Sequence, residues 1–117
     1  MSHEISREEV ENLIRTRGPS LLLEILPPEY YEREHLPGAK NLPLSGFDLA
    51  ATTLLPDRDA PIVTYCSGPT CANSHIAARR LLELGYTNVR VFTGGKSAWR
   101  EAGLAFEAGA ERVARVA

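Results

Sequence analysis

Pro61-Ile62-Val63-Thr64-Tyr65-Cys66-Ser67-Gly68-Pro69-Thr70-Cys71-Ala72-Asn73-Ser74 decides the fold. Its first part, Pro61 to Tyr65, is β-branched and aromatic, the composition of a strand that fits a buried pleated surface. From Cys66 to Asn73, Gly, Pro, Ser and Thr break that pattern and read as a loop. Ser74 then opens a segment with Ala77, Leu81 and Leu84 on one face and Arg79, Arg80 and Glu83 on the other. That is a helix of about three turns, with Gly85 as its C-terminal cap. A strand passing through a short loop straight into a helix is the building unit of a parallel α/β sheet.

The flanks repeat the unit. Upstream, Ser6-Arg7-Glu8-Glu9 has the form of a capping box, and Val10, Leu13 and Ile14 follow at helical spacing until Gly18-Pro19, so a helix is expected over about residues 6–17. Leu21 to Leu26 is a short apolar run closed by Pro27-Pro28, the pattern of a strand buried on both faces; its one charge, Glu24, requires a partner. Residues 29–35 fit a short helical stretch, residues 39–42 a brief extended piece, and residues 47–55 a modest helix. Downstream, Val89 to Phe92 reads as a strand, Gly94-Gly95 as a turn, and Lys96 to Ala102 as a last helix stopped by Gly103. Strands alternating with helices throughout predict an α/β fold with a mostly parallel sheet covered on both faces. The expected core spans about residues 6–106, and residues 108–117 read as a short helix or a frayed tail.

The chain has 117 residues, 44% of them apolar, which suits a single domain over 1–117 with one core. Thirteen Lys+Arg against fifteen Asp+Glu leave a formal charge of −2, so neither nucleic acid nor an anionic membrane is an expected partner. The apolar runs are far shorter than the roughly 20 residues of a membrane helix. The start, Met1-Ser2-His3-Glu4, lacks a signal-peptide pattern, so a cytoplasmic location is expected. Cys66 and Cys71 are too few for a disulfide framework, yet they share one loop.

In an open parallel sheet, ligands bind beyond the carboxyl ends of the strands, which is where Cys66 falls. The helix beginning near Ser74 points its unpaired N–H groups at this loop, and its dipole is expected to lower the Cys66 thiol and enrich thiolate. Small residues at Ser67, Gly68 and Thr70 let backbone N–H groups turn inward as an anion cradle. The alternative for the pair is two inert cysteines that only fill space.

Two further segments carry a resemblance. His35-Leu36-Pro37-Gly38-Ala39-Lys40-Asn41-Leu42-Pro43 resembles the H-I-P-G-A-x-N-I-P signature of rhodanese sulfurtransferase domains. Gly85-Tyr86, followed by Gly94-Gly95, Trp99 and Gly103, is similar to that family's closing segment. The resemblance runs from Ser6 to about Phe106. It implies a three-layer α/β/α fold with a five-stranded parallel sheet. It also implies a persulfide carried on Cys66, taken from a small sulfane-sulfur donor and passed to a thiol or cyanide-like acceptor, with no metal or organic cofactor. The loop itself resembles a subgroup with a C-x-G-P-x-C pattern, which makes Cys71 an auxiliary thiol and Ser67, Gly68, Pro69, Thr70, Ala72 and Asn73 the substrate-binding loop.

There are two departures. Many members carry an Arg five residues after the nucleophile to grip an anion such as thiosulfate, and here that position is Cys71. The family's Asp-x-Arg after the second strand reads Glu24-Ile25-Leu26, which implies a lost ion pair. Two thiols so spaced around a Gly-Pro turn can close into a disulfide, with Cys71 attacking a Cys66 persulfide or sulfenate. A catalytically silent regulatory or protein-binding module, or a redox-sensing dithiol, is the competing function. Phosphatase or arsenate reductase chemistry fits less well, because its loop closes on an Arg where Ala72 stands. Cys66, Cys71 and His75 match no ordinary zinc spacing. His35 reads as a structural hydrogen-bonder, Trp99 as core, and Arg79-Arg80 as a solvated face.

Overall fold

The computed structural model describes residues 3–109. The tail expected from residue 108 therefore lies, from residue 110 onward, outside the described residues. The chain runs α1 (Arg7–Arg15), β1 (Leu21–Glu24), α2 (Pro28–Arg33), β2 (Lys40–Asn41), α3 (Phe47–Leu54), β3 (Ile62–Tyr65), α4 (Asn73–Glu83), β4 (Val89–Phe92) and α5 (Gly95–Glu101). The capping box forms as expected: Ser6 Oγ accepts from the Glu9 N–H at 3.1 Å and Glu9 Oε1 accepts from the Ser6 N–H at 3.0 Å. Pro28 occupies the first turn of α2, where its missing N–H breaks no helical bond.

All strand pairs are parallel, in the order β2-β1-β3-β4. The five strands expected are thus four among the described residues. What remains of a fifth is a single parallel bridge on the free edge of β4, where Glu4 faces Val91. There the Ile5 N–H donates to the Val91 carbonyl and the Val91 N–H to the His3 carbonyl. Pairing stops at once because Ser6 is already the N-cap of α1 and its N–H is taken by Glu9.

Alternating side chains send the sheet's apolar residues into two cores. On one face Leu23, Ile62, Val89 and Val91 pack with Phe47 and Ala51 of α3 and with Ala77 and Leu81 of α4. On the other Val63, Tyr65 and Phe92 pack with Val10 of α1, Tyr31 of α2 and Trp99 of α5. This is the helix–sheet–helix layering expected, and β3, central and buried along its whole length, carries the cysteine loop out of the middle of the sheet.

Candidate functional site: a two-thiol loop over a buried ion pair

The loop is held from two sides. Cys66 follows β3 directly, and its carbonyl accepts the Lys96 N–H at 3.0 Å, while the Ser67 carbonyl accepts the Ser97 N–H at 2.9 Å and the Ser97 hydroxyl at 3.0 Å. The loop's first two carbonyls are therefore tied to the start of α5. That contact requires glycine: Gly95 has φ +58°, and a Cβ on it would lie 2.4 Å from the Cys66 carbonyl oxygen and 3.0 Å from the Gly68 nitrogen. On the other side the Asn73 amide donates to the Ile25 carbonyl at 3.1 Å, which fastens the start of α4 to the end of β1. Between these anchors Gly68 to Cys71 forms a turn with Pro69 at its second position, closed by a 3.0 Å bond from the Cys71 N–H to the Gly68 carbonyl.

The turn brings the two cysteines together. Cys66 is buried and Cys71 half-buried, and both are free thiols. Cys66 Sγ lies 3.4 Å from the Cys71 carbonyl oxygen and 3.4 Å from Ser74 Oγ. Burial pushes the Cys66 thiol above its usual range, and the neighbouring Cys71 side chain pushes it the same way against the Ser74 hydroxyl and N–H. Burial also opposes a Cys71 thiolate, but hydrogen bonds from the Cys66 thiol, the Ser67 and Asn73 N–H groups and the Ser67 hydroxyl outweigh it and hold Cys71 below the usual range. The expectation of a lowered Cys66 thiol is therefore corrected. Two cradle N–H groups, those of Ser67 and Asn73, converge on Cys71, which makes it the more acidic thiol of the pair.

Beneath the loop lies a cluster that sequence reading missed. Glu24 at the end of β1 is fully buried, and its Oε2 lies 2.8 Å from Nζ of Lys96, itself only 6% exposed. The expected loss of an ion pair at this strand is corrected: the cation comes from α5 instead of from the position two residues on. Glu24 Oε2 has no aligned hydrogen bond, so the contact is ionic, whereas Lys96 Nζ also donates to the Tyr30 carbonyl at 3.1 Å. Glu24 Oε1 accepts from the Tyr65 hydroxyl at 2.7 Å, and that hydroxyl accepts the Leu36 N–H at 3.1 Å. Burial, then the Glu24 carboxylate, keep the Tyr65 phenol protonated far above its ordinary range. One signal pointed here, since a buried acid demands a cation and Lys96 follows the Gly94-Gly95 turn.

The other candidates fall away from the thiols. His35 stacks on Tyr31 with centroids 3.8 Å apart, and its Nδ1 lies 2.7 Å from the Tyr31 carbonyl, as befits a structural role. Trp99 is core, with its Nε1 donating to the Ala105 carbonyl at 2.9 Å. Arg80 pairs with Asp48 at 2.8 Å, and Arg79 and His75 are exposed on α4.

Two cavities flank the sheet. One, of about 490 Å³, opens beside Ser67 and is lined also by Leu26, Pro27, Tyr30, Arg33, Glu34, Lys96 and Arg100. The other, of about 380 Å³, lies under α1 with Leu13, Ile14, Leu22 and Val63 in its wall and contains no thiol or imidazole. Neither cysteine lines the first cavity, but it reaches the thiol loop through Ser67, the residue after Cys66. Among the described residues no helix is long and apolar enough to cross a membrane.

A parallel α/β/α sheet with a thiol loop at the carboxyl end of its central strand defines a class of cysteine-loop domains suited to covalent group transfer. This chain belongs to the rhodanese-like domain family, whose model matches residues 6–102. It is 35% identical over 96 residues to the HTH-type transcriptional regulator Rv0324 of Mycobacterium tuberculosis, covering 82% of this chain but 41% of that protein. It is 30% identical over 104 residues to a protein of Allochromatium vinosum named Sulfurtransferase, covering 89% of this chain and 94% of the other. Among solved structures, the thiosulfate sulfurtransferase from Pseudomonas aeruginosa superposes with a TM-score of 0.81 at 31% identity, covering 92% of this chain and 20% of that one. The chain thus spans less than half of the regulator and a fifth of the structural relative, and its relatives include sulfurtransferases.

Proposed function

We propose that this protein is a sulfurtransferase that carries sulfane sulfur as a persulfide on Cys66. The observation that carries the reading is the pair of free thiols at the end of β3, with Cys66 Sγ 3.4 Å from both the Cys71 carbonyl oxygen and Ser74 Oγ. Cys71 is held below and Cys66 above the usual thiol range, so that Cys71 is the first of the two to ionise. As Cys66 Sγ bonds to the terminal sulfur of a donor persulfide anion, its proton passes to the Cys71 thiolate. The bond from that terminal sulfur to the donor thiol breaks, and the electron pair leaves with the donor thiolate. The persulfide anion then faces the Ser74 hydroxyl and N–H that favour negative charge on Cys66. An acceptor thiolate or cyanide attacks the outer sulfur and expels the Cys66 thiolate, which recovers its proton from Cys71.

The same pair favours a second outcome. Once protonated Cys71 has lost its proton again, its thiolate can attack the inner sulfur of a protonated Cys66 persulfide, forming a disulfide and expelling hydrosulfide; an external thiol must then reduce the disulfide. The similarity to part of a transcriptional regulator supports a third reading, a binding module that carries no sulfur. One experiment separates them. After incubation with thiosulfate or with glutathione persulfide, intact-mass and peptide analysis is expected to show one added sulfur atom on Cys66, absent in Cys66→Ser. A Cys66–Cys71 disulfide as the sole product favours the dithiol outcome, and an unmodified protein with every donor defeats the transferase reading.

A further inference from the structure

The cavity beside Ser67 is far larger than a small inorganic anion needs; at about 490 Å³ it lies in the range that encloses organic ligands. Its charges are unevenly satisfied. Lys96 is committed to Glu24 and to the Tyr30 carbonyl, and Arg100 is committed to Glu34. Arg33, on the last turn of α2, is exposed and has no carboxylate partner among the described residues. Its guanidinium is held over the Tyr30 ring, 5.5 Å from the centroid, a contact that orients the cation without neutralising it. Leu26, Pro27 and Tyr30 supply apolar lining to the same cavity, and Ser67 supplies its loop side.

The positive charge thus lies on the cavity wall and is absent from the loop position taken by Cys71. A cation on the wall does not meet the reacting sulfur. It meets a group carried some distance along the donor's carbon skeleton, and its free donors in a planar fork suit a carboxylate.

We infer that this cavity receives an organic persulfide whose carbon skeleton bears a carboxylate, and that Arg33 selects it. The inference rests on the sulfurtransferase reading. Aliphatic carbons lie against Leu26, Pro27 and Tyr30, the carboxylate meets the Arg33 guanidinium, and the terminal sulfur is presented past Ser67 to the thiol pair. Arg33 is a specificity residue and takes no part in the bond changes.

The test uses the persulfides of mercaptopropionate, mercaptoethanol and cysteamine, which carry a carboxylate, a neutral hydroxyl and an ammonium on skeletons of similar size. Initial rates of sulfur uptake on Cys66 are expected to favour the carboxylate donor about five- to tenfold, through KM, as one charge-assisted hydrogen-bonded contact provides. Arg33→Glu is expected to reverse the order, so that the ammonium donor becomes the best. Arg79→Glu, a charge reversal on α4 outside the cavity, keeps the wild-type order. Equal rates for the three donors in the wild type, or a uniform fall in Arg33→Glu, overturn the assignment of Arg33 while leaving the transferase reading intact. No uptake from any of the three overturns both.

Discussion

Lys96→Met removes the cation that faces Glu24 and leaves a carboxylate that is fully buried. At 2.8 Å and an effective dielectric of about 20, the gross attraction of the pair is on the order of 6 kcal/mol. Much of this offsets the desolvation of two charges, so the cost of breaking the pair, about 3–5 kcal/mol, is the quantity an unfolding experiment reads. Against a total stability of roughly 5–15 kcal/mol for a domain of this size, that is severe, and it corresponds to a fall in Tm of about 10–20 °C. The second leg is Glu24→Gln with Lys96→Met, which removes both charges and keeps an acceptor for the Tyr65 hydroxyl. The double variant is expected to be more stable than Lys96→Met by about 2 kcal/mol or more, measured as urea midpoints in a double-mutant cycle. Single and double effects that add to within about 0.5 kcal/mol would refute the reasoning, because they would mean that the buried charges do not depend on each other.

Gly95→Ala is expected to lose about 2–3 kcal/mol, since the new Cβ meets the rigid backbone of Cys66 and Gly68 in addition to a positive φ. Wild-type stability together with wild-type sulfur uptake on Cys66 would show that the loop does not need this contact. Alkylation by iodoacetamide as a function of pH reads the thiol pair. With Cys71 held below and Cys66 above the usual thiol range, thiolate appears on Cys71 first as pH rises, and its charge then opposes ionisation of Cys66. Peptide mapping should find label on Cys71 at a pH where Cys66 is still unmodified, and the reverse order would contradict the assignment.

Much of the scaffold was legible because its signals are local. The capping box at Ser6, the β-branched run before Cys66, the Pro27-Pro28 stop and Val89 to Phe92 each act within one element, and the elements form where those signals lie. The sheet edge was harder. Whether residues near Glu4 form a strand depends on competition between pairing with β4 and capping α1, and the helix takes the backbone after Ile5.

The site divides along the same line. By itself the order of residues placed Cys66 at a strand end, put Cys71 in the same loop and required a partner for Glu24. Which sulfur receives the N–H groups depends on how the Gly68–Cys71 turn folds back over Cys66, and which cation meets Glu24 depends on α5 crossing the end of β1. Both are contacts between segments distant in the chain or bent through a tight turn, and only the tertiary structure sets them. That is why Cys71 becomes the more acidic thiol, the missing cation appears at Lys96, and the cavity cation without a carboxylate partner among the described residues is Arg33 on α2.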